Sequence, residues 1–244
     1  MAKAKNKKNW EELNEEDIKT NIFNNFKITR KFKLSEKQTL MVKAILRDDV
    51  KCVLCSGLAG TGKSAIAVYS GLQLLKEGKM EELVYVRSPK QTMFEEIGFT
   101  PGDVIDKMNP YNEVLYDKLN EFLSKTDYKN LFDKGVIKTM PTSFIRGYDL
   151  KHSYIIVDEA QNLSLNTIYT LLTRVSEGSK IIFIADPTQK DIPDDKSGFS
   201  TVINVLNDEE SVKHGIEVFE FNEIEDIKRS ELVKYIIQKF QKFI

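Results

Sequence analysis

Cysteine is almost absent, with Cys52 and Cys55 the two thiols in 244 residues. Their C-x-x-C spacing could serve a redox pair or half a zinc site, but no further cysteine exists to complete a zinc set. They lie in the apolar run Val50–Cys55, where a strand period of two sends positions three apart to opposite faces, so two packed core thiols are expected. No apolar run approaches the roughly 18 residues needed to cross a bilayer, and no charged segment followed by an apolar one opens the chain. A cytoplasmic protein without membrane contact is the expectation. Charge of one sign is lacking as well. The 36 Lys and Arg nearly cancel the 37 Asp and Glu, which excludes the positive field of a dedicated nucleic-acid coat and confines any such site to a local patch.

The length and a hydrophobic content of 41% suffice for one generous domain with a buried core. Residues 1–30 read as a partly flexible N-terminal extension and 31–244 as the domain. Lys3, Lys5, Lys7 and Lys8 form a basic cluster in that extension, read as a solvated terminus with a nucleic-acid arm as the alternative. From Phe32 onward, strand-like and helix-like segments alternate without repeats or low-complexity linkers, the pattern of an α/β fold with a mainly parallel sheet and helices on both faces. Strands are expected over 50–56, 83–87, 136–140, 153–157, 180–185 and 216–221. Helical spacing of Leu, Ile, Val and Phe covers 36–47, 64–77, 111–124, 165–175, 199–207 and 230–242. The stretch Ser88–Asn109 reads as a structured loop of the functional kind.

Gly57-Leu58-Ala59-Gly60-Thr61-Gly62-Lys63-Ser64 fits G-x-x-x-x-G-K-[ST], and it follows an apolar strand and precedes the helical run that opens at Ala65. Glycines let successive N–H groups converge on phosphate oxygens, and the following helix adds its positive end. Residues 57–65 are therefore the candidate nucleotide cradle. Lys63 is assigned to the β and γ phosphates, and Ser64 to Mg2+, a hard ion that takes oxygen ligands.

The apolar strand Tyr154–Val157 ends in Asp158-Glu159-Ala160-Gln161-Asn162. Two carboxylates at a strand end are costly without work to do. Asp158 is the candidate for the Mg2+ shell, through water, and Glu159 for orienting or deprotonating the attacking water. The alternative, a pair of exposed residues capping the next helix, is weakened because Ser164 is available as that cap. A later strand, Lys180–Ala185, ends in Asp186-Pro187-Thr188-Gln189, which makes Gln189 a candidate to sense the γ-phosphate or hold the lytic water.

These three motifs resemble those of the PhoH-like ATPases, relatives of the superfamily 1 helicases. Gly98–Asp103, Lys107, Pro110-Tyr111, Arg146-Gly147, Leu172-Thr173-Arg174, Ser197-Gly198 and Asp226–Val233 with Arg229 are similar to family segments in the same order, covering about residues 34–240. The resemblance implies a single RecA-like P-loop domain that binds and hydrolyses ATP. It also implies that Gln38 reads the adenine edge, although Ser35-Glu36-Lys37-Gln38 is a capping box in its own right. Two positions depart from the family pattern: Ala185 replaces a usual Gly, and Tyr148 a common second basic residue. One core leaves the transition-state arginine to a neighbouring subunit, so a homo-oligomer, plausibly a ring, is expected, with Arg146, Arg174 and Arg229 as candidates. RNA or single-stranded nucleic acid is the implied partner, with Arg87 and Lys90 as local contacts. A nucleoside kinase of the thymidine-kinase type competes, but the cysteine-rich zinc lasso of such enzymes is missing. A slow nucleotide-gated binding module is the other competitor.

Overall fold

Apolar runs without alternation are stable as strands only where both faces of the sheet are covered. In a computed structural model of the chain, which describes residues 26–30, 33–87, 113–142 and 144–240, those runs lie at the centre of one sheet. Strands β1 (Cys52–Gly57), β4 (Ser153–Asp158) and β5 (Lys180–Ala185) are buried at every position, and β2 (Glu82–Arg87) at all but its ends. With β3 (Ile137–Pro141) and β6 (Ile216–Phe221) they form a six-stranded sheet in the order β3-β2-β4-β5-β1-β6, with every pairing parallel. Each expected strand is present within two residues of its expected bounds.

Helices cover both faces, and their starts are written locally. Ser35 caps α1 (Glu36–Leu46) in a reciprocal box with Gln38. Gly62, in the left-handed region, starts α2 (Lys63–Lys76) without a side-chain cap. Positions 113–120 form α3, while Ser124 caps α4 (Lys125–Asp133) and Ser164 caps α5 (Leu165–Leu172). On one face α1 to α4 supply Met41, Ile45, Ile66, Leu72, Leu115, Leu119 and Leu131 to a core shared with Val53, Cys55, Tyr85 and Ile156. On the other, α5 and α6 (Phe199–Leu206) bring Ile168, Leu171, Phe199 and Val202 against Cys52, Leu54, Val84 and Phe183.

This is the arrangement of a RecA-like P-loop domain, a parallel sheet between two helical layers with its first strand running into a glycine-rich loop. Cys52 and Cys55 fall in opposite cores, both free and buried, and burial pushes each thiol up to about 12. Neither is a thiolate at neutral pH. Helix α4 has no counterpart among the expected helices, because only Leu131 of its nine residues is buried and the apolar spacing is correspondingly faint. Two further helices, α7 (Glu209–Lys213) and α8 (Glu231–Phe240), complete the described chain, and α8 carries no buried residue. Residues 26–30 lie on the domain: Phe26 is buried, and the Thr29 N–H donates to Phe122 O at 2.8 Å. The basic cluster Lys3–Lys8 and the loop 88–109 lie outside the described residues. Among the described residues no helix is long and apolar enough to cross a membrane.

Helix α2 sits close to the sheet at Gly71, where an added Cβ would lie 2.6 Å from the Tyr154 ring and 2.8 Å from Leu83 Cδ1. Gly71→Ala is expected to lower unfolding stability by about 1–3 kcal/mol through overpacking, read as a fall in the urea midpoint at constant m. An unchanged midpoint would show that α2 does not depend on this approach.

Candidate nucleotide-binding site

Because every strand runs the same way, the last residues of β1, β2, β4 and β5 meet at one edge of the sheet. A cleft of about 610 Å3 opens there, lined by residues 59–66 together with Asp158, Glu159, Gln161, Asp186, Gln189 and Arg229. The loop leaving β1 turns through Gly60 (φ 78°) and Gly62 (φ 84°), a region that residues with a Cβ enter at a cost. Thr61 is fully buried, and its hydroxyl donates to Leu58 O at 2.9 Å, closing the loop on itself. The Lys63 ammonium is folded inward, donating to Gly57 O at 2.6 Å and Leu58 O at 2.8 Å. Burial holds its pKa below the ordinary lysine value.

Ser64, in the first turn of α2, donates its hydroxyl to Asp158 Oδ1 at 3.2 Å. The Glu159 N–H reaches the same oxygen at 3.2 Å, and the Tyr85 hydroxyl donates to Oδ2. Two hard oxygen donors, the Ser64 hydroxyl and the Asp158 carboxylate, thus stand side by side. Such a pair fits Mg2+, which keeps several waters and takes only one or two protein ligands alongside phosphate oxygens.

Glu159 adopts the left-handed conformation (φ 57°, ψ 39°), a strain of about 1–3 kcal/mol for a residue with a side chain. Its carboxylate accepts from Arg87 Nη2 at 3.3 Å and from Gln161 Nε2 at 2.5 Å. Gln161 is the hub of this region: its Nε2 also donates to Gln189 O at 3.0 Å, and its Oε1 accepts from the Asp186 N–H at 3.0 Å. It ties the end of β4 to the turn after β5. Gln189 lines the cleft with an exposed side chain. Asp186 Oδ1 accepts from Thr188, whereas its buried Oδ2 has no partner.

Gln38 is buried, and its amide works in two directions, with Oε1 accepting from Ser35 N at 2.9 Å and Nε2 donating to Thr61 O at 2.9 Å. One side chain therefore completes the capping box and braces the glycine-rich loop. Arg229 also belongs to this chain's own cleft: a Cβ on Gly60 would lie 2.7 Å from Arg229 Cγ, and the adjacent Lys228 N–H donates to Gly60 O at 2.8 Å. A clamp of Lys37 Nζ on Asp226 Oδ2 and on Glu220 O, both at 2.9 Å, holds that C-terminal turn against α1. Arg174 is exposed beyond the end of α5 and does not line the cleft. Lys90 and the Arg146 side chain lie outside the described residues. Tyr85 and Gln161 have no assigned role in the sequence reading. The only signal for Gln161 is its place in the acidic run, and Tyr85 reads as an ordinary strand residue.

The family model described as "PhoH-like protein" matches residues 32–241. The chain belongs to the PhoH-like family. A PhoH-like protein of Synechocystis is 35% identical over 207 residues, 84% of this chain and 61% of that protein. One of Bacillus subtilis is 33% identical over 243 residues, 99% of this chain and 72% of its own. The chain thus spans between three fifths and three quarters of the length of these PhoH-like relatives. Among solved structures, the UvsW helicase of bacteriophage T4 is similar with a TM-score of 0.46 and 11% identity, covering 86% of this chain and 68% of that one. Bacteroides Pif1 in complex with ADP-AlF4 is similar with a TM-score of 0.39 and 15% identity, covering 86% and 46%.

In this PhoH-like protein both polar ends of the Gln38 amide are engaged within the chain. Gln38→Ala is therefore expected to weaken ATP and GTP binding by the same factor in a competition titration and to lower stability by about 1 kcal/mol or more, the net worth of a lost intramolecular hydrogen bond. A selective loss of ATP would instead assign the amide to the base.

Proposed function

We propose that this PhoH-like chain binds ATP with Mg2+ in the cleft at the carboxyl edge of the sheet and hydrolyses it. The observation that carries the proposal is the meeting of Ser64 with Asp158 at 3.2 Å beneath a glycine-rich loop, with Glu159 as the next residue. Phosphates would take the N–H groups of residues 60–64 and the Lys63 ammonium, which exchanges its bonds to Gly57 O and Leu58 O for phosphate oxygens. Ser64 and Asp158 would hold the Mg2+, whose chemistry is to neutralise charge on the phosphate oxygens. Glu159 would orient the attacking water and accept its proton, and Gln189, which also lines the cleft, would sense the terminal phosphate or hold that water.

Arg229 lies over Gly60 of its own chain, which supports a role for it as a cation acting on the phosphates of the same subunit. The homo-oligomer stays part of the proposal, since a single core leaves one side of the cleft to a neighbour. Coupling to RNA or single-stranded nucleic acid is supported by the Arg87–Glu159 pair. A phosphodiester strand drawing Arg87 toward itself would release the Glu159 carboxylate for water. The same pair favours a second reading, a slow nucleotide-gated module, for as long as Arg87 and Gln161 occupy both Glu159 oxygens.

Phosphate release measured with and without single-stranded RNA tests the hydrolytic reading. Lys63→Ala should lose nucleotide binding, and Glu159→Gln should keep binding but lose about 10²–10⁴-fold in release. Nucleoside-dependent ADP formation would point to a kinase, and wild-type binding without release to the module. Mixing Lys63→Ala with Arg229→Ala chains separates the two placements of the arginine: action within one chain predicts no recovery of turnover, and recovery would place Arg229 on a neighbour's site.

A further inference from the structure

Tyr85 is fully buried in the middle of β2, in the core facing α1 and α2. Register places it opposite Ile156, two residues before Asp158 on β4. Strand alternation therefore points Tyr85 and Asp158 to the same face, the one crossed by the first turn of α2. A phenylalanine would fill the same space there, and a buried hydroxyl is costly unless it finds a partner. The partner is the Asp158 carboxylate, at Oδ2. The other oxygen, Oδ1, takes the Ser64 hydroxyl and the Glu159 N–H. A carboxylate offers about four acceptor sites, so donors on both oxygens stop it from rotating and leave one direction open.

We propose that Tyr85 is a positioning residue for the carboxylate of the Mg2+ site: its hydroxyl holds Asp158 in one orientation, so that the acceptor position its three donors leave free is fixed for the Mg2+ shell. The inference rests on the reading of Asp158 and Ser64 as the Mg2+ pair. Tyr85 is buried and does not line the cleft, so it acts through Asp158, in the way hydrogen-bond partners behind metal ligands set their orientation and basicity.

The test is an equilibrium titration of the full chain with a fluorescent ATP analogue, in EDTA and then across Mg2+ concentrations. Tyr85→Phe keeps the ring and removes one hydroxyl. Affinity in EDTA should stay within about twofold of wild type, while the Mg2+ concentration that half-saturates the tightening of binding rises about tenfold or more. Tyr85→Met, which keeps the site apolar and filled, should show the same shift if the Phe variant does not fold. In an Asp158→Asn background, Tyr85→Phe should add nothing. An unchanged Mg2+ requirement in Tyr85→Phe, an equal loss of affinity in EDTA, or a further loss on top of Asp158→Asn would each overturn the proposal. If Asp158→Asn alone leaves the Mg2+ requirement unmoved, the metal pair itself is misassigned, a failure distinct from that of Tyr85.

Discussion

The contact between the Ser64 hydroxyl and the Asp158 carboxylate is the constraint on which the site depends, because it joins two elements that the sheet keeps apart. Strand β5 lies between β1 and β4, so their ends are separated by two strand spacings, about 10 Å. The glycine-rich loop and the first turn of α2 bridge that gap only if α2 lies close on the sheet. Gly62 provides the left-handed turn that starts the helix, and Gly71 lets the helix approach Tyr154 and Leu83 without an intervening side chain. A helix raised by one methyl group would draw Ser64 away from Asp158. Packing midway along α2 and the chemistry at its first turn are thus one problem.

The charges around the cleft are held by one another. Lys63 sits on the carbonyls of its own loop, Arg87 and Gln161 share the Glu159 carboxylate, and Lys37 anchors Asp226 below Arg229. In each of these contacts at least one partner is ionised, which makes the bond roughly twice as strong as one between neutral groups. Around the cleft, the unpartnered Asp186 Oδ2 and the left-handed Glu159 are places where polar or backbone energy is not locally relieved. Both stand at strand ends facing the cleft. Gln161 links them, bonding Glu159 through one end of its amide and the Asp186 N–H through the other.

What was legible beforehand follows from the range over which each signal acts. The strands, most of the helices and the glycine-rich loop are written within windows of about ten residues, as continuous apolar runs, helical spacing, serine caps and the G-x-x-x-x-G-K-S string. Helix α4 escaped this reading because, apart from its Ser124 cap, its single buried residue leaves almost no periodic trace.

The sequence by itself determined that a parallel sheet with covered faces forms, that its first strand runs into a phosphate-type loop, and that carboxylates and a glutamine stand at later strand ends. Only the tertiary structure decided which strands are neighbours, and with that which side chains meet. Tyr85 reaches Asp158, and Arg87 reaches Glu159, because β2 pairs with β4. Arg229 lies over Gly60 because β6 pairs with β1 and returns the chain to the loop. Crossovers in a parallel sheet leave the order of strands open until the helical layers pack, so contacts across strands have no local sequence signature.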